Sequence, residues 1–70
     1  MKVIYDDETD TLTLIFNDGK ISESDEIQEG MILDYNDQGK VISMELLDAS
    51  MKVKDPKFIS YELKEMKQAV

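Results

Sequence analysis

Hydrophobic and polar positions alternate most regularly between Gly30 and Ser50. Met31, Leu33 and Tyr35 alternate with Ile32 and Asp34, and Ile42, Met44 and Leu46 alternate with Val41, Ser43 and Glu45. Between the two runs lies the turn signal Asn36-Asp37-Gln38-Gly39. Period two on both sides of a glycine turn predicts a β-hairpin. With Gly39 in the left-handed conformation of a bulged turn, the predicted register pairs Asn36 with Gly39, Tyr35 with Lys40, Leu33 with Ile42 and Met31 with Met44. This puts every large apolar side chain of the hairpin on one face, and a slip of one residue would send one strand's set to the other.

The same pattern, less cleanly, runs through the first half of the chain. Lys2 to Tyr5 and Thr11 to Phe16 predict a first hairpin around Asp6-Asp7-Glu8-Thr9-Asp10. Val3 and Tyr5 share one face, as do Leu12, Leu14 and Phe16, while Ile4 and Ile15 fall on the opposite one, so that face is not wholly polar. Asn17-Asp18-Gly19-Lys20 marks a second turn. The segment from Ile21 to Ile27 beyond it is a weak strand whose small and acidic side chains suit a sheet edge guarded by charge, or an irregular connector.

After Leu47 the alternation stops, and Asp48-Ala49-Ser50 can open a short helical turn. Asp55-Pro56 then has the form of a helix N-cap with proline at the first helical position. Ile59, Leu63, Met66 and Val70 recur at helical spacing, with Phe58 flanking the stripe. An amphipathic helix over residues 56–70 is predicted. It is short enough to need packing, and either closes the sheet's own core or presents Phe58, Ile59, Leu63 and Met66 to a partner's groove.

Composition narrows the chemistry. Seventy residues make a single domain near the lower size limit for a self-sufficient core. It divides into a β-meander over 1–48 and the helix over 55–70. No cysteine or histidine is present, which removes disulfides, thiolate and imidazole metal sites and imidazole-dependent triads. The net charge is −8, which disfavours gripping nucleic acid phosphates. Residues 1–48 hold 13 acids and 3 lysines, whereas residues 49–70 hold 3 acids and 5 lysines, so the chain is electrically two-ended. No leader-like segment precedes the first strand and no apolar run approaches the ~20 residues that span a bilayer, so a cytoplasmic, membrane-free protein is expected.

One motif match tests the hairpin. Asp34, Asn36, Gln38, Gly39 and Glu45 follow the spacing of a calcium-binding EF-hand loop, with a departure at Gln38. The flanks are strands by pattern, and the predicted register sets Asp34 and Glu45 about 13 Å apart at ~3.3 Å per residue, too far to share an ion. The acids of residues 6–10 form a solvated loop more readily than a cation site. Paired carboxylates need an enclosing cleft for acid–base work, which a sheet this small scarcely offers. Neither enzyme activity, cofactor nor metal is expected. The three tyrosines and five methionines fit core and rim packing, with no basic groove beside them for stacked bases.

Tyr5-Asp6 with Asp10-Thr11-Leu12, then Ile32-Leu33-Asp34-Tyr35 with Gly39, and above all Glu45-Leu46-Leu47-Asp48-Ala49-Ser50, resemble the small bacterial proteins of domain-of-unknown-function family 2283. The resemblance covers residues 1–50 and brings no activity and no functional residues with it. Members are often encoded beside a small toxin-like protein, so the resemblance implies an antitoxin-like role.

The expected fold is α+β, an antiparallel meander of four to five strands with one C-terminal amphipathic helix. The expected function is a non-enzymatic interaction module, with an acidic edge at Glu23, Asp25, Glu26 and Glu29 meeting a basic protein partner and the helix as a second contact. The alternatives are a small-molecule or divalent-cation binder using the acidic loops, and a structural homodimer with no ligand.

Overall fold

β1 (Lys2–Asp6) and β2 (Thr11–Ile15) form the first hairpin, and β4 (Met31–Tyr35) and β5 (Val41–Leu46) form the second, as the alternation predicts. Between them β3 (Glu23–Gln28) pairs with β4, and the one-turn helix α1 (Ala49–Lys52) follows β5. The structure is a computed structural model and describes residues 1–65. The strands make one antiparallel sheet, so the fold is mostly β with a single short helix among the described residues.

The spatial order is β1-β2-β5-β4-β3, which corrects the expected meander. β5 pairs on one side with β4 and on the other with β2, giving the Greek-key order in which three hairpin-connected strands are flanked by a fourth. Burial explains the choice. β5 carries Ile42 and Leu46, both buried, and takes the centre, where both its edges are covered. β3 is exposed along its whole length and takes an edge. Residues 16–22 connect β2 to β3 across the end of the two central strands. Phe16 and Asn17 donate backbone N–H groups to the Ile42 carbonyl at 2.8 and 3.2 Å, and Ser22 donates to that of Tyr35 at 2.7 Å.

The pairing lines up rows across the sheet. On the first face Tyr5, Leu12, Leu46 and Met31 form one row, and Val3, Leu14, Met44 and Leu33 the next. Leu12, Leu46 and Ala49 of α1 are buried together, with Tyr5, Met31 and Val53 packed against them. Burying each leucine is worth roughly 2 kcal/mol of transfer free energy. On the second face Ile15, Ser43, Asp34 and Ser24 form one row, and Ile4, Thr13, Glu45, Ile32 and Glu26 the other.

The β4–β5 register differs from the predicted one by two residues. Leu33 pairs with Met44 and Met31 with Leu46, where Ile42 and Met44 were expected. One offset arises in the turn, where the Asn36 N–H reaches the Lys40 carbonyl at 2.9 Å. The other is a bulge at Ile42, between the Asp34–Ser43 and Tyr35–Val41 pairs. Two single-residue offsets restore the parity beyond the bulge, so the predicted faces of Ser43 to Leu46 survive although the partners change, while Val41, expected on the face of Asp34, pairs with Tyr35 on the other. Gly39 has the expected left-handed conformation, with φ of 77°.

The helix predicted over 56–70 is absent from its described part: residues 59–65 run without regular structure. Asp55-Pro56 opens a turn instead. Asp55 Oδ1 accepts the Lys57 N–H at 3.0 Å, and the Asp55 carbonyl accepts the Phe58 N–H at 3.1 Å. Proline at the second turn position serves this geometry as well as it serves a helix start. Beyond the turn, Ile59 and Tyr61 lie beside Met1, Val3, Leu12 and Leu14 along an open apolar groove. Among the described residues no helix is long and apolar enough to cross a membrane.

Candidate functional site

The acidic edge forms where the sequence places it. Glu23, Asp25 and Glu26 lie in β3, and Glu29 in the turn that follows; all are exposed. Alternation divides them, with Glu23 and Asp25 opposite Tyr35 and Leu33 on the first face, and Glu26 opposite Ile32 on the second. A bulge at Ile27, between the Glu26–Ile32 and Gln28–Met31 pairs, ends the strand. Glu26 has a structural duty there, since its Oε2 accepts the Gly30 N–H at 2.9 Å. Gly30 in turn sits close under α1. Its carbonyl accepts the Leu47 N–H at 2.8 Å, and a Cβ at this position would come within 2.6 Å of Lys52 Nζ.

The tail half of the predicted surface is elsewhere. Phe58, Ile59 and Leu63 are 68, 54 and 71% exposed, but they form no helical stripe. Ile59 lies beside β1 and β2, at the opposite side of the sheet from β3. Four inter-strand spacings, roughly 19 Å, separate the two edges. The acidic edge and the apolar tail therefore do not form one continuous surface. Met66 lies outside the described residues.

The most enclosed polar group was not among the predicted site residues. Asp34, only 1% exposed, is the centre of a cluster on the second face. Ser24 Oγ of β3 donates to its Oδ1 at 2.7 Å, and Ser43 Oγ of β5 donates to its Oδ2 at 2.7 Å. The carboxyl of Glu45 also hydrogen-bonds to it. Burial alone pushes Asp34 up, but the hydrogen bonds from Ser24, Glu45 and Ser43 outweigh it and hold this carboxyl below the usual carboxylate range. Glu45 is raised by its hydrogen bond to Asp34, then by burial and by the Asp34 charge. This overturns the separation of about 13 Å derived from the predicted register, because the two-residue offset brings the carboxyls together.

Asp34 is tied to serines, and the second residue of the EF-hand pattern, Asn36, is equally occupied. Asn36 Oδ1 accepts the N–H groups of Gln38 and Lys40, both at 2.9 Å, which closes the turn. Asp6 and Asp7 of the first loop are likewise engaged. Asp6 Oδ1 accepts from the Glu8 and Thr9 N–H groups at 3.0 and 3.4 Å, and Asp7 faces Lys57 at 3.9 Å. No group of three or more acidic side chains among the described residues has the geometry to hold a metal ion.

Asp10 forms a second hub. Its backbone is left-handed, with φ of 54°, and its carbonyl accepts the Ala49 N–H at 2.9 Å. Oδ1 accepts from the Tyr5 hydroxyl at 2.7 Å and the Ser50 N–H at 3.0 Å, while Oδ2 accepts from Ser50 Oγ at 2.6 Å. Asp10 thereby caps α1 from a loop forty residues away in the chain. The bonds from Ser50 and then Tyr5 hold the Asp10 carboxyl below its usual range, and the bond to Asp10 is the main reason that Tyr5 is pushed up to about 12.

These two hubs give two stretches of the chain a structural role each. In Ile32-Leu33-Asp34-Tyr35 the aspartate joins three strands. In Glu45-Leu46-Leu47-Asp48-Ala49-Ser50 the chain buries Leu46, turns through left-handed Asp48, buries Ala49 and ties Ser50 to the first hairpin. Comparison with curated proteins and with solved structures found no match. A family model, described as a protein of unknown function (DUF2283), matches residues 2–50, which hold all five strands and the start of α1. The chain belongs to the DUF2283 family.

Proposed function

We propose that this chain is a non-enzymatic interaction module that receives a basic protein segment along β3, in an antitoxin-like role. The observation that carries the proposal is the state of β3: a fully exposed edge strand with Glu23 and Asp25 on one face, Glu26 on the other and Glu29 at its end. Its outer backbone groups offer hydrogen bonds to an added strand, and its acids select a partner rich in lysine or arginine. The net charge of −8 favours encounter with such a partner.

The carboxyl pair supports a binding role over a catalytic one. Asp34 and Glu45 have displaced proton affinities, but they are committed to each other and to two serines, and Asp34 is closed to a substrate. The proposal is tested by co-expressing the chain with the product of the adjacent reading frame and comparing it with a Glu23→Lys/Asp25→Lys variant. Co-purification that weakens at least tenfold in the variant and fades with added salt is the expected result. Equal retention of the partner by the variant would overturn the role of the edge.

A further inference from the structure

The sheet has two edges, and their sequences respond differently to a second copy of the chain. β3 is closed to itself. Antiparallel self-pairing centred on Ser24 sets Glu23 against Asp25, centring on Asp25 sets that residue against its own copy, and centring on Glu26 does the same. Such charges are how an edge strand avoids pairing with its own kind.

β1, Lys-Val-Ile-Tyr-Asp, has no such guard. Its interior is apolar, Val3 and Ile4 are 36 and 40% exposed, and among the described residues only β2 pairs with it. Its two charges are opposite and sit at its two ends. Centred on Ile4, an antiparallel pair of β1 strands sets Lys2 against Asp6 of the second copy, Val3 against Tyr5, and Ile4 against Ile4. The two-fold axis repeats the charged pair. Lys2 and Asp6 share the face of Ile4, so the opposite charges meet on one side of the joined sheet. Centring on Val3 or on Tyr5 loses both charged pairs, so charge selects a single register.

We propose that β1 is a self-association edge, at which a second copy of this chain adds by antiparallel pairing centred on Ile4. The join is continuous with the existing apolar rows. Val3 ends the row of Leu14, Met44 and Leu33, and Tyr5 ends that of Leu12, Leu46 and Met31. Opposing Val3 to Tyr5 of the second copy therefore carries both rows across the two-fold axis. A strand of five residues buries less than the ~1,200 Å² of a standard stable interface, so the dimer exchanges and is populated at high protein concentration. β3 of each copy remains open at the far edges.

The experiment is sedimentation and amide NMR of the full chain over a concentration series. Concentration-dependent dimerisation is expected, with shifts centred on Lys2 to Asp6. Lys2→Glu makes both ends of β1 acidic and is expected to weaken dimerisation roughly tenfold. Asp6→Lys makes both ends basic and acts likewise, while an equimolar mixture of the two variants recovers a heterodimer tighter than either homodimer. Should Asp6→Lys not fold, because Asp6 also holds the Glu8 and Thr9 N–H groups, Asp6→Asn keeps those acceptors and removes the charge. It is then expected to weaken dimerisation several-fold. A monomer at millimolar concentration would overturn the proposal. So would association unchanged by Lys2→Glu, or shifts confined to β3 or to residues 56–65.

Discussion

Ser24 on the edge strand and Ser43 on the central strand grip opposite oxygens of Asp34, each at 2.7 Å, so one carboxyl joins β3, β4 and β5. Removing it leaves two hydroxyls on the sheet without their acceptor.

Asp34→Asn retains the volume but has one accepting oxygen for two serines and Glu45. A loss of about 1–3 kcal/mol in urea unfolding is expected. Ser24→Ala breaks only the link to the edge, so it should cost about 1 kcal/mol and speed amide exchange in β3 more than in β5.

Stability should peak in mildly acidic solution on account of this pair. Asp34 is depressed, so its contribution is present above its unfolded value and is lost as pH falls through the folded one. Glu45 is raised, so its contribution is present below its unfolded value and is lost as pH rises through the folded one. Glu45→Gln keeps a donor toward Asp34 at every pH. Urea midpoints measured from acid to neutral pH should therefore lose their fall on the neutral side in this variant.

Tyr5 should titrate at about 12, and the proton it retains comes mainly from the bond to Asp10. Asp10→Asn suits the left-handed backbone at φ 54° while removing the charge. Ultraviolet titration is expected to show Tyr5 moving down toward an ordinary phenol. Since the raised value favours the protonated fold, the stability linked to Tyr5 is lost as pH rises above the unfolded value near 10.

Two glycines with the same φ of 77° should differ when each is changed to alanine. At Gly39 nothing lies within 4 Å of a new Cβ, so Gly39→Ala pays only for the left-handed backbone, about 1–2 kcal/mol. At Gly30 the new atom meets Lys52 Nζ at 2.6 Å and the Leu47 carbonyl at 3.3 Å. Gly30→Ala should be the more destabilising, and its unfolding midpoint in urea should be the lower of the two.

The strands were legible because period two reports the face of each residue directly, and an edge position for β3 was one of two readings of its small and acidic side chains, the other being an irregular connector. The strand order was not, since nothing in the alternation of Leu12 and Leu14 says that their partners are Leu46 and Met44. Register was legible only to within an even shift, which leaves every face unchanged, so the bulge at Ile42 passed unseen. Asp34 lies on the face that alternation assigns to it. Its burial was hidden because a charged side chain on a sheet face is ordinarily solvated. The serines at positions 24 and 43 become a signal only once the register is known. Asp55-Pro56 misled because a turn and a helix start use the same two residues.

The strand order also sets a timetable for synthesis. β5 joins the two halves of the sheet, yet it is the last of these five strands to be made. Until Leu46 has emerged, the first hairpin and the β3–β4 pair are separate two-stranded pieces, each marginal in water. The sheet thus closes in one late event on pairings about thirty residues apart.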